Sequence, residues 1–97
     1  MKEFIIDGRK MTTQDELFKH LSELMWFPNY FGNNIDALWD ILIQVSDETE
    51  IHFINVDIFL DEMDTYALKV IRMFKMLDYQ TDNYTVYFYP GEMTYEY

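Results

Sequence analysis

Apolar side chains recur along this chain with two different periods, and the changes of period mark its elements. Phe4-Ile5-Ile6 reads as a short strand, stopped by Asp7-Gly8, a strong turn pair. Thr13-Gln14-Asp15-Glu16 has the form of a capping box, with threonine as N-cap and glutamate three residues on. The helix it opens carries Leu17, Leu21, Leu24 and Met25 on one face. Phe27-Pro28 should end it, because the residue before a proline is driven out of the α region. A second helix is expected to start at Asn33 or Asn34, both good caps, with Ile35, Leu38, Trp39 and Leu42 as its buried stripe. Ile51–Val56 has the β-branched and aromatic content of a strand, and Asp57–Met63 fits a short helix or turn. Asp64 is placed to cap a further helix whose stripe is Ala67, Val70, Ile71, Phe74 and Leu77. Tyr84–Tyr89 reads as the last strand, closed by Pro90-Gly91, and Glu92–Tyr97 as a loose tail.

The resulting order is β, α, α, β, (α), α, β. Short apolar strands joined through helices imply right-handed crossovers and a parallel sheet. With three strands the economical architecture is an α/β two-layer sandwich, a three-stranded parallel sheet packed against helices. Residues 1–90 form the expected domain and residues 91–97 a C-terminal tail. A chain of 97 residues buries roughly 60–65% of the surface its unfolded form exposes, enough for a core without staples.

Composition narrows the function classes. At 49% hydrophobic and 19% aromatic the chain is no acidic disordered tail. It has no cysteine, which excludes disulfides and thiolate metal sites and is compatible with a reducing cytoplasm. A charge sits where a secretory apolar region would run, and no apolar run approaches the roughly 20 residues of a membrane helix. The formal charge of −11 disfavours free nucleic acid and anionic membranes as partners. That charge is also localised. Between Lys19 and Lys69 there is no lysine or arginine, while Glu23, Asp36, Asp40, Asp47, Glu48, Glu50, Asp57, Asp61, Glu62 and Asp64 all fall there. A basic protein partner fits this distribution.

The densest chemistry lies in Phe27–Leu42. On a helix starting at Ile35, Asp36 and Asp40 fall about 100° and about 140° from the stripe, on the side where Trp39 emerges. Like charges at i, i+4 cost a few tenths of a kcal/mol. Asp36 recovers some of this from the helix dipole in the first turn, whereas Asp40 does not. Tyr30 and Phe31 lead into Gly32, whose missing Cβ permits a bend and close approach by a partner. Two aspartates on a helix flank are ordinarily a solvated face, and a lone tryptophan is ordinarily core. The convergence of repelling acids, a half-buried tryptophan, aromatics and a glycine turn favours a binding surface.

The segment Phe27-Pro28-Asn29-Tyr30-Phe31-Gly32-Asn33-Asn34-Ile35-Asp36-Ala37-Leu38-Trp39-Asp40 resembles the signature of the barstar family, Leu-Pro-x-Tyr-Tyr-Gly-x-Asn-Leu-Asp-Ala-Leu-Trp-Asp. Barstar is an intracellular inhibitor of a small secreted bacterial ribonuclease. The resemblance implies a three-stranded parallel sheet packed on helices and a protein that is not an enzyme. It implies Tyr30, Asn34, Asp36, Trp39 and Asp40 as contacts, with Gly32 shaping the turn. It further implies a cytoplasmic protein, monomeric when free, that binds a basic barnase-like ribonuclease one to one without a cofactor. Asp40 would mimic an RNA phosphate, Asp36 would pair with a neighbouring cation, and Tyr30 and Trp39 would cover cationic groups with flat apolar area. The chain departs from the pattern where the family has a further interface glutamate on the helix before the last strand. Met73 or Met76 stands there, and Asp78 could substitute only in another helical register. The family's Gly-Trp after the acidic helix is Gln44-Val45, and its second tyrosine is Phe31.

Other chemistries fit less well. A glycosidase carboxylate pair faces across a cleft from separate elements, unlike two acids on one exposed helix. Nucleophilic catalysis lacks a cysteine, and Ser22 and Ser46 lie in no motif. Asp57, Asp61, Glu62 and Asp64 do not have calcium-loop spacing and read as a solvated face. His20 and His52 stand isolated in the sequence, the first expected at the surface and the second on a strand, with no metal site expected. Met73 and Met76 read as packing residues or an adaptable rim. The alternative to ribonuclease inhibition is an acidic module that mimics nucleic acid towards another nucleic-acid-handling protein.

Overall fold

A computed structural model describes residues 1–28 and 31–92. The elements are β1 (Lys2–Asp7), a 3-10 turn (Gly8–Lys10), α1 (Gln14–Met25), α2 (Ile35–Ile43), β2 (Thr49–Ile54), α3 (Val56–Met63), α4 (Thr65–Gln80) and β3 (Tyr84–Phe88). The strands form one parallel sheet in the order β1-β2-β3, with Ile6 paired to Phe53 and Ile51 to Val86. This is the expected three-stranded parallel sheet with helices.

Alternation along the strands sorts their side chains between two faces. Ile6, Ile51, Phe53, Tyr84 and Val86 are buried on one, against the helices. Glu3, Ile5, Thr85 and Tyr87 stand exposed on the other, here called the open face. Phe53 is the hub of the core. Its ring meets Phe59 at 5.3 Å, Phe74 edge-on at 5.8 Å and Phe88 at 5.8 Å between centroids. All five stripe residues of α4 are buried, joined by Met73. None of the helices among the described residues is long and apolar enough to cross a membrane.

Several boundaries differ from the sequence reading, each for a local reason. Thr13 does cap α1, accepting from the Glu16 N–H at 3.1 Å, but the Glu16 carboxylate reaches Thr12 instead of closing the box on Thr13. Helix α1 stops before Phe27-Pro28, because Trp26 turns left-handed (φ 58°). Strand β2 begins at Thr49 and ends at Ile54, since Asn55 is itself left-handed (φ 54°), a conformation asparagine tolerates. Asp64 occupies the junction between α3 and α4, but its side chain makes no cap hydrogen bond.

Asn55 is also not a side-chain cap for α3. The Asn55, Val56 and Asp57 N–H groups instead donate to the carbonyls of Gly91 (2.9 Å), Tyr89 (3.1 Å) and Pro90 (3.2 Å). Residues 89–91 thus supply acceptors for the orphan donors of a helix start. Glu92 follows, 3.8 Å from Arg9, and Met93–Tyr97 lie outside the described residues. Gly8 packs where no side chain would fit: a Cβ there would run into the Asn55 carbonyl and lie 2.9 Å from Phe59 Cβ.

The histidines are not isolated. Half-buried His20 accepts the Asp7 N–H at Nε2 (3.1 Å), tying α1 to the end of β1. Burial and then the nearby Lys10 charge lower its pKa, consistent with an imidazole held as an acceptor. Asp7 accepts from the Arg9 N–H, the Arg9 guanidinium and the Asn55 amide. Burial alone would raise the Asp7 pKa, but these bonds, led by the Arg9 guanidinium, pull it down to about 2. His52 lies buried in β2 on the open face, with Glu3 and Glu50 beside it.

Candidate functional site

The acidic helix α2 is fixed at both ends. At its start, Asn34 accepts the Ala37 N–H at 2.8 Å as the N-cap, and its amide donates to the Gly32 carbonyl at 3.1 Å. At its end, the buried Tyr84 hydroxyl donates to the Leu42 carbonyl at 2.7 Å. Burial pushes that phenol up to about 12, which keeps it a donor at any physiological pH. Just beyond, the Asn83 amide donates to the carbonyls of Val45 (2.9 Å) and Asp47 (3.1 Å). Leu38 and Leu42 are buried between these anchors, with Ile35 and Trp39 packed at the edge of the core, and α2 lies against α4.

Mounted this way, α2 presents its two carboxylates outward. Asp36 and Asp40 are both exposed, one turn apart, and among the described residues neither makes an ion pair or hydrogen bond. Trp39 is half-buried beside them. Gly32 and Asn34 are exposed at the entry to the helix. The structure thus brings Gly32, Asn34, Asp36, Trp39 and Asp40 onto one helix and its lead-in turn. Tyr30, the remaining expected contact, lies outside the described residues.

Two details of this segment add to the sequence reading. Gly32 does not supply a left-handed residue. Asn33 does (φ 52°), and a Cβ on Gly32 would come within 3.3 Å of the Asn34 amide and 3.4 Å of Ala37 Cβ. The glycine makes room for the cap. Phe31 serves the fold as well as the surface: its ring sits 4.9 Å from Phe27 and 5.8 Å from Phe18, anchoring the loop to α1.

The neighbouring helix α4 settles the departure from the barstar pattern. Met73 is buried and belongs to the core, while Met76 is 46% exposed. Asp78 is no substitute acid, because its carboxylate accepts the Val86 N–H at 3.0 Å and holds the edge of β3. The side of α4 beside the entry to α2 is basic. Lys69 and Arg72, with Tyr66 and Gln14, line an open hollow together with Asn33, Asn34 and Asp36. Sequence reasoning missed this because Lys69 and Arg72 lie beyond the acidic run. Their spacing of three along the exposed side of α4 is the signal that puts them on one face.

The arrangement can bind cations and expose flat apolar area, while among the described residues nothing at α2 offers a nucleophile or an acid–base pair facing across a cleft. The sequence model of the family described as "Barstar (barnase inhibitor)" matches residues 1–89. A curated protein of Bacillus subtilis (strain 168), "Putative ribonuclease inhibitor YrdF", is 45% identical over 42 residues. That stretch is 43% of this chain and 46% of the relative, so the match spans less than half the length of either.

Proposed function

This chain belongs to the barstar family, and from that premise we propose that it inhibits a basic, barnase-like ribonuclease by seating α2 in the enzyme's active site. Ribonuclease inhibition is the activity the family carries, and its members are inhibitors, not enzymes. The observation that carries the finer reading is a pair of exposed carboxylates, without ion pair or hydrogen bond among the described residues, on a helix fixed at both ends. A carboxylate locked to one of the molecule's own cations would have to give up that partner on binding. Among the described residues, Asp36 and Asp40 hold no ion pair or hydrogen bond that binding would have to break.

In this reading Asp40 takes the place of an RNA phosphate against the lysine, arginine and histidine groups of the ribonuclease, and Asp36 pairs with an adjacent cation. Trp39, and Tyr30 by its position in the family motif, cover those groups with aromatic surface. Rigid mounting limits the conformational entropy lost on binding, which favours affinity. The negative run through α2 and α3 speeds encounter with a basic enzyme, an effect that weakens as salt shortens the Debye length. Lys69 and Arg72 beside Asp36 favour a ribonuclease with an acidic group at that rim, where the family's extra glutamate would have sought a basic one. The protein acts in the cytoplasm, as a monomer binding one enzyme.

Titrating the chain into an RNA-cleavage assay with a barnase-like ribonuclease tests this. Activity is expected to vanish near one equivalent at low salt, with Asp40→Ala weakening inhibition more than tenfold, about 1.4 kcal/mol. Activity that falls only at large excess would count against the proposal. Recovery from a pull-down of a DNA-binding protein instead of a ribonuclease would favour the alternative, a nucleic-acid mimic with another target.

A further inference from the structure

The open face of the sheet carries a second cluster of chemistry, on residues that α2 does not use. Glu3 of β1 and Glu50 of β2 are register partners, so two like charges stand directly opposite each other across a parallel pair. Such a pairing is destabilising unless something positive sits between them. His52, two residues along β2 on the same face, aims Nε2 at both: 3.2 Å to Glu50 Oε1 and 3.6 Å to Glu3 Oε1. The histidine is only 3% exposed. Its ring stacks on Tyr87 at 5.0 Å between centroids, and Nδ1 lies 3.0 Å from the Tyr89 hydroxyl.

We propose that Glu3, Glu50 and His52 form a site for a divalent transition cation of the zinc class. The three donor atoms lie within 4.8 Å of one another. Tetrahedral ligation with bonds of about 2.0–2.1 Å spaces donor atoms roughly 3.3 Å apart, close to the two distances from Nε2. One imidazole nitrogen with two carboxylates suits zinc and its neighbours better than calcium or magnesium, which take oxygen alone. In the tautomer that donates Nδ1–H to Tyr89, the Nε2 lone pair faces the two carboxylates. That tautomer turns Nε2 into a ligand, and the Tyr89 contact is then the outer partner that orients a ligating histidine, whereas the other neutral tautomer donates Nε2–H to Glu50. Water would complete the coordination. A bound ion would join β1 to β2 on that face.

The rival occupant is a proton on His52 Nε2, which would bond to the same carboxylates and leave no room for a metal. Isothermal titration of the full chain with Zn2+ at neutral pH, repeated with Co2+ for its visible spectrum, separates the two. One equivalent is expected to bind, with a tetrahedral Co2+ spectrum and a shift of the His52 ring resonances. Glu3→Gln and Glu50→Gln should each weaken binding at least tenfold while melting no lower than the parent, since each removes a repulsion. His20→Gln should leave it unchanged. Absence of binding at millimolar Zn2+ would overturn the proposal. So would affinity that survives the double glutamine variant, or that is lost in His20→Gln. The glutamate variants are decisive even if His52→Asn fails to fold.

Discussion

Asp36 and Asp40 differ in what their removal should do to stability, although both are exposed on the same helix. Asp40→Ala relieves an i, i+4 repulsion worth a few tenths of a kcal/mol and is expected to raise stability slightly. Asp36→Ala relieves the same repulsion but forfeits a first-turn dipole interaction of similar size, so it should be close to neutral. Urea or thermal melts of the two variants check this, and a loss above about 1 kcal/mol in either would assign that residue to the fold. Asp36, Trp39 and Asp40 were legible in the sequence because a helix converts spacing directly into direction. The Glu3–Glu50–His52 cluster was not. Two strands far apart in sequence meet through a register that no local pattern encodes, so His52 looked solitary.

For α2, the cap at Asn34 could be read from residue type and position. The other anchor could not, because Tyr84 announces a strand by its aromatic ring and says nothing about where its hydroxyl ends. Tyr84→Phe keeps the ring and leaves the Leu42 carbonyl without its buried donor. It is expected to cost about 1–3 kcal/mol and to weaken ribonuclease inhibition, since α2 would lose its fixed end. Comparison with Asp40→Ala is the check: Tyr84→Phe should lower both melting temperature and inhibition, Asp40→Ala inhibition alone. Helix stripes were the most legible elements, α4 above all, because each apolar residue there reports the same face. Element ends were less so, where Trp26, Asn55 and Asp64 leave the right-handed region or turn without a side-chain cap.

Across the whole molecule, acidification should act in two stages. His20 has a lowered pKa in the fold, so the unfolded chain binds its proton more readily. Its contribution is complete above the ordinary histidine value of 6.5 and is lost as pH falls through the lowered one. Asp7 is likewise depressed, from 3.8 to about 2, so its share of about 2 kcal/mol is present above pH 4 and disappears towards pH 2. Melting temperatures followed from pH 7.5 to 3 should fall through both windows. His20→Gln, which keeps an acceptor for the Asp7 N–H but cannot be protonated, should flatten the upper stage alone. An unchanged upper slope in that variant would show that His20 is not the group responsible. The architecture was legible at this scale because three apolar strands and their helical connections leave few ways to bury one face. The Asp7–Arg9–Asn55–His20 network was not, since it joins β1, α1 and the start of α3 through tertiary contact.

The first turn of α3 is completed by carbonyls that follow β3. A version of the chain trimmed at Phe88 would retain every strand and helix of the described residues yet strip three amide groups at the start of α3 of their acceptors. A protease cut or fusion joint placed just after the final strand is therefore expected to loosen a helix start more than thirty residues earlier in the chain.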